Sequence, residues 1–283
     1  MRPSTALGQY LRARRAVVRP EDVGLSRVGR RRVPGLRREE LATLAGISAD
    51  YYLRLEQSRD HHPSAPVIDA LARALRLSQD ATSYLHSLAQ PAAAEAWAAD
   101  REQPRSSMER LIASWAHTPA FVHGRHLDVL AANAMASALS PIFTPGVNLV
   151  RAVFVDPDVR KLWRDWNTFA ESVVARLRVL VGPDVDNPRL RELTQDLSAR
   201  SDHFRRLWAR QDIQAPASRR TIFDHPRVGT LELQPERLAI LGSKSQLLIV
   251  CHAEPASPSA RALSRLAAIV AGEAGQHQYP VNA

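Results

Sequence analysis

Gly35-Leu-Arg-Arg-Glu-Glu-Leu-Ala-Thr-Leu-Ala-Gly-Ile-Ser-Ala-Asp-Tyr-Tyr-Leu-Arg-Leu-Glu-Gln-Ser-Arg59 reads as two short helices meeting at Gly46. Leu41, Ala42, Leu44 and Ala45 recur at helical spacing, which predicts one apolar face behind a polar first turn of Arg37, Arg38, Glu39 and Glu40. A helix that must stop and turn sharply needs a left-handed residue, and glycine adopts that conformation most cheaply. Ile47 then plugs the corner and Ser48 caps the next helix. In that second helix Tyr52 and Leu55 face inward, while Ala49, Asp50, Tyr51 and Arg54 face outward. With the small Ala42 four residues before Gly46, these offsets describe a helix-turn-helix; the plainer alternative is a helical hairpin.

Charge favours the first reading. Residues 1–90 carry 15 Arg and no Lys against 9 acids, whereas residues 91–283 carry 23 basic and 20 acidic groups. The basic excess is thus concentrated around the motif, as a phosphate-binding surface requires. Cys251 is the single cysteine, which excludes an intrachain disulfide and a cysteine-based metal site. No apolar run approaches a membrane span and no signal-peptide core opens the chain, so a cytoplasmic protein, nucleoid-associated when bound to DNA, is expected.

Around the motif, residues 5–15 are expected to form a helix with Leu7 and Leu11 inward. The connection 19–34, broken by Pro20, Gly24, Gly29 and Pro34, carries Arg27, Arg30, Arg31 and Arg32; it reads as a solvated loop or as a segment on the phosphate backbone or in a minor groove, and its place beside the motif favours DNA contact. A helix with Val67, Ile68, Leu71, Leu75 and Leu77 inward follows, capped by Ser64, and one near 80–89 completes a five-helix domain. His61 and His62 lie in the intervening turn with no third ligand nearby. Residues 91–105 read as a linker between a DNA-binding domain (1–90) and a second domain (106–283).

The second domain begins with a helix over 106–116, short strands at 120–123 and 127–130, and a small helix over 132–139. One long helix is expected from Asp156-Pro157 to Val181, with Val159, Leu162, Trp163, Trp166, Phe169, Val173 and Leu177 on one face. Helices around Leu190–Leu197 and Phe204–Trp208 follow. Four strands come next (221–223, 230–233, 238–241 and 247–250), with turns at Pro226, Pro235 and Gly242, and a closing helix runs from Ser259. This order predicts an α+β domain with one antiparallel sheet covered on one face.

Both halves together resemble the MmyB-like bacterial transcription regulators. The resemblance rests on Gly35 through Ala42, Tyr51-Tyr52-Leu-Arg-Leu-Glu56, Val67 through Leu75, Pro119-Ala through Gly124-Arg125 and Ala132-Asn133. It continues in Asp156-Pro157, Asp165-Trp166, Phe204 with Leu207-Trp208-Ala209, His225-Pro-Arg-Val-Gly229, and Ala253 through Ser259. It implies an all-α, Xre-type helix-turn-helix domain followed by a PAS-like α+β ligand-binding domain. Two departures stand out: Ser58 replaces a usual glycine after the recognition helix, and Gln211-Asp212 replaces the family's His-Asp. The ligand could differ accordingly.

By analogy with other helix-turn-helix proteins, Ser48, Ala49, Asp50 and Tyr51 would face base edges, with Arg54 one turn later. Arg54 can bond guanine bidentately and Asp50 can accept from cytosine, although Asp50 also suits a helix N-terminus. Arg37, Arg38, Gln57 and Arg59 are assigned to phosphates. A single reading module gives limited affinity, so a homodimer on a two-fold operator of double-stranded DNA is expected. Trp115, Phe121, Trp163, Trp166, Phe169, Phe204 and Trp208 fill a core or, as the resemblance implies, line a pocket for a small apolar, fatty-acid-like effector. No cofactor or metal is expected. The alternative is a second domain that only dimerises or holds a protein partner. Catalysis has little support: Asp202-His203, Asp224-His225 and His252 match no hydrolytic, zinc or phosphate-loop pattern, so an enzyme is not expected.

Overall fold

The computed structural model describes residues 6–25, 35–59, 63–89, 102–182, 184, 187–213, 220–243 and 245–277. Five helices come first: α1 (Ala6–Val17), α2 (Arg38–Ala45), α3 (Ala49–Glu56), α4 (Ala65–Ala74) and α5 (Gln79–Ala89). Then follow α6 (Ser106–Ala113), β1 (Ala120–His123), β2 (Val129–Ala132), α7 (Ala134–Leu139), α8 (Leu149–Val155), α9 (Pro157–Leu162) and α10 (Trp166–Val181). The chain continues through α11 (Pro188–Arg200), α12 (Asp202–Arg210), β3 (Thr221–His225), β4 (Gly229–Ala239), β5 (Leu247–His252) and α13 (Pro258–His277). It divides into two compact units. The first joins Met1–Trp97 to Val174–Ala215, and the second joins Ala98–Val173 to Pro216–Ala283.

Among its described residues the first unit holds helices and no strand. Gly46 takes φ 66 at the end of α2, and the Ser48 hydroxyl accepts the Tyr51 amide at 3.1 Å to open α3. Tyr52 and Leu55 are fully buried with Tyr10, Leu11, Leu41, Ile68, Leu71 and Leu85 in one apolar core. Leu44, expected on the inward face, is 37% exposed. In an eight-residue helix the stripe of Leu41, Ala42 and Ala45 is narrow, and Leu44 lies about a quarter turn away from it. Ser64 stands at the N-cap of α4 without a side-chain capping bond, and Leu77 lies beyond that helix. Its position follows from the left-handed Arg76 (φ 52) and a bond from the Leu77 amide to Ala72 O at 2.9 Å.

The second unit is built on a five-stranded antiparallel sheet in the order β2-β1-β5-β4-β3. Two strands expected at 230–233 and 238–241 are a single strand, β4, that runs through Pro235. Pro235 lies opposite Cys251, whose amide turns away to Pro119 O (2.9 Å), so this is a non-hydrogen-bonded pair and the proline nitrogen faces the other edge. Pairing with β3 ends at Leu233, so no ladder bond is lost there.

Both faces of the sheet are covered, not one. Ile112 from α6 packs with Ala120, Val122, Ala131 and Leu248, joined by Met108 and Trp115. Phe121 and Ile249, neighbours in register, point to the opposite face, on which α7 and α13 pack. The α6 side chains were legible as a helix, but a strand as short as β1 cannot display whether one or both of its faces are apolar.

The long helix expected from Asp156 is broken. Trp163 has extended backbone (φ −109, ψ 117) and bridges Phe223, and the Arg164 amide bonds Ile222 O. Asp165 then restarts the helix, its carboxylate accepting the Thr168 amide at 3.1 Å. Apolar spacing continues across the break because Trp163 stays buried on the same side. The Asp165-x-x-Thr168 cap was the sequence signal for two helices.

Candidate nucleic-acid interface and aromatic core

The outer surface of α3 carries the residues expected to read DNA. Ala49, Asp50, Arg54, Gln57 and Arg59 are exposed and Tyr51 is half-buried. Arg54 is already engaged: its guanidinium bonds the Asp50 carboxylate and lies 5.4 Å from the Tyr51 ring centroid. Ser48 spends its hydroxyl on the α3 cap. Arg37 is exposed at the start of α2, its amide held by Glu40 at 2.7 Å. Arg27, Arg30, Arg31, Arg32, His61 and His62 lie outside the described residues.

Beneath that surface sits a feature sequence reasoning missed. Glu56 is fully buried, and its carboxylate accepts Arg15 Nε at 2.8 Å, Arg38 Nε at 2.7 Å and the Tyr52 hydroxyl at 3.0 Å. Arg15 also donates to Leu36 O at 2.7 Å. Burial pulls the Glu56 pKa up, but the bonds from Arg38 and Arg15 outweigh it and hold the carboxyl below its ordinary range. The brace ties α1, the start of α2 and the end of α3 together, and it orients the half-exposed Arg38. A carboxylate four residues after Tyr52, on the inward stripe, was the available signal, because a buried charge demands a partner.

At the end of α3, Ser58 takes φ 58, the left-handed backbone that glycine adopts freely. Serine therefore holds this left-handed turn at an energetic cost. Ser58→Gly is expected to stabilise the unit by about 0.5–1 kcal/mol, read as a higher chemical-denaturation midpoint. A lower midpoint would refute the assignment of strain.

In the second unit, Phe121, Trp163 and Phe169 come together with Phe143 and Phe223, two residues not singled out from sequence. Trp163 stacks on Phe169 (centroids 3.5 Å, planes 9° apart) and lies 4.2 Å from Phe223. Phe121 stacks on Phe143 at 4.4 Å, and Phe143 meets Trp163 edge-on at 6.5 Å. The indole nitrogen of Trp163 and the hydroxyl of Ser140 are buried without a protein hydrogen-bond partner.

The other expected ligand residues lie elsewhere. Trp115 packs on the α6 face of the sheet, opposite to Phe121. Trp166 donates to Val153 O at 3.2 Å beneath the Arg160 guanidinium. Phe204 and Trp208 stack at 5.8 Å within the first unit. Among the described residues no group of three or more His, Cys, Asp or Glu side chains is placed to hold a metal. His225 bonds Ala138 O at 2.9 Å, and Asp224 is held by Arg164 and Thr230.

Comparison with known families accounts for both units. A helix-turn-helix domain model matches residues 6–85. The model of the MmyB-like transcription regulator ligand binding domain matches residues 104–266, more than half of the chain. The chain belongs to the MmyB-like transcription regulators. Among curated proteins, none matches it. As an MmyB-like regulator it is a DNA-binding transcription regulator with a ligand-binding domain. Among its described residues no helix is long and apolar enough to cross a membrane.

Proposed function

We propose that this regulator reads a two-fold operator as a cytoplasmic homodimer, and that a small, mainly apolar effector tunes the affinity. In this reading residues 1–90 form the reading module, 91–105 the linker and 106–283 the sensing domain. The observation that carries the effector is the aromatic cluster around Trp163, whose buried indole N–H has no protein hydrogen-bond partner. An apolar, fatty-acid-like molecule bearing one hydrogen-bonding group would complement such a lining. Native mass spectrometry of protein purified from a native-like host, before and after denaturation, tests this. A molecule released in fixed ratio to the subunit supports the reading, as does altered operator affinity on its removal. Identical operator affinity with and without the molecule overturns the tuning.

One observation favours a second reading, in which the second unit holds a protein partner. Leu238 and Leu241 are 51% and 88% exposed near the end of β4, past the point where β3 pairing stops. An open strand edge with apolar side chains suits β-augmentation.

For base reading, Arg54 is the anchor and Asp50 its brace. The carboxylate holds one side of the guanidinium while the remaining donors face a guanine. Gln57, Arg59, Arg37 and Arg38 contact phosphates, and Ser48, Ala49 and Tyr51 line the approach. Arg54→Ala is expected to cost about 1–3 kcal/mol of operator binding and to relax preference at one base pair. Competition binding against single-substituted operators measures it, and an unchanged preference profile would remove Arg54 from the reading set.

A further inference from the structure

Residues 174–213 fall inside the match to the ligand-binding-domain family, yet they are part of the compact helix-turn-helix unit. Their side chains grip α1 and α5 there. Ile213 is 5% exposed and belongs to the same apolar core as Leu7, Tyr10, Leu11 and Tyr84. Asp212 accepts Arg14 Nη1 at 2.8 Å with one oxygen and Arg210 Nε at 2.8 Å with the other. Arg178 is 3% exposed; it donates to Trp208 O at 2.6 Å and to the Gln211 side chain, and its guanidinium lies 4.0 Å from the Trp208 ring centroid.

The helix so gripped touches the recognition helix directly. A Cβ on Gly8 of α1 would come within 2.5 Å of Glu56 O, so the two backbones are in closest contact at the end of α3. Adjacent residues of α1 carry the two ion pairs: Arg14 reaches Asp212, and Arg15 reaches Glu56. A buried guanidinium is a poor source of net stability compared with apolar filling, whereas its directed bonds define one geometry.

We propose that Asp212 and Ile213, on a segment that Arg178 fastens at Trp208 and Gln211, are positioning residues for DNA reading: they clamp α1, and α1 in turn sets the place of α3. The clamp rests on the DNA-binding reading of α3, and it makes a stretch of the ligand-binding family domain a working part of the reading head. Gln211 serves this clamp through Arg178.

The test uses full-length protein and the duplex that the wild type enriches from a random pool. Arg14→Ala and Asp212→Ala are each expected to weaken binding about tenfold, and the double variant no more than either alone, because they remove one interaction. Asp212→Glu is expected to retain affinity within about threefold. Wild-type affinity in the single variants, or losses that simply add, overturns the clamp. If the alanine variants do not fold, hydrogen exchange in Asp212→Asn decides. The α3 amides are expected to exchange about tenfold faster while those of α4 hold, and unchanged α3 protection overturns the proposal. Should the wild type enrich no duplex, the DNA reading of α3 fails, and the exchange measurement still judges the clamp.

Discussion

Glu56→Gln is expected to destabilise the helix-turn-helix unit by about 3–5 kcal/mol, since removing one partner of a buried charge network strands the others. Arg15 would keep 11% of its side chain exposed with no anion beside it, and Arg38 would lose the bond that orients it. The amide can still accept one or two hydrogen bonds, so the loss is mainly electrostatic. Hydrogen exchange of α1–α5 amides at neutral pH measures it, and a loss under about 1 kcal/mol would show the network to be dispensable. A pH signature accompanies it. The Glu56 carboxyl is held below its ordinary value of 4.5 in the folded unit. Its stabilisation is therefore complete above about 4.5, and it is lost as pH falls from there through the lower folded pKa. In Glu56→Gln that acid-induced loss should shrink, giving a flatter profile from a lower starting stability.

The same residue illustrates what periodicity does and does not convey. The inward stripe of α3 is readable from Tyr52 and Leu55, whereas the burial of Glu56 beside them is not. Its burial depends on two arginines, one 41 residues away, and nothing local marks that pairing. The five N-terminal helices were legible from 3.6-residue spacing, with the Gly46 stop and the Ser48 cap marking the turn between α2 and α3. The break at Trp163 was not, because an extended residue can keep its side chain on the apolar side that helix spacing predicts. Pro235 misled for the opposite reason: its lost donor matters only where a neighbouring strand exists, and β3 ends before it. The contacts of Asp212 and Ile213 with the first helices span nearly 200 residues and leave no trace in local pattern. As for the ligand residues, sequence grouped seven aromatics by type, whereas the sheet separates Trp115 from Phe121, and Phe204 and Trp208 belong to the other compact unit.

Trp163→Ala is expected to cost the second unit about 3–5 kcal/mol, the usual range for emptying a large aromatic site. Phe169, Phe223 and Phe143 all lose their central neighbour. The indole nitrogen has no protein hydrogen-bond partner, so the loss is one of packing, with no stranded polar group left behind. Residue 163 sits in an extended join between two helices, bridged to Phe223, so a smaller side chain there leaves the main chain in place. The resulting hollow is lined by rings and should stay dry, which makes it a receptor for a small flat molecule. Indole at about a hundred times its dissociation constant would return about 2.7 kcal/mol by mass action. Denaturation midpoints of the second unit with and without indole measure both halves of the prediction. No loss on substitution would mean that Trp163 is not central to the core, and no recovery with indole would mean that the site collapses. The variant also separates the two roles of the cluster: if the co-purifying effector rests on these rings, its fixed ratio to subunit in native mass spectra should fall with Trp163→Ala, and a ratio unchanged in the folded variant would move the effector away from them.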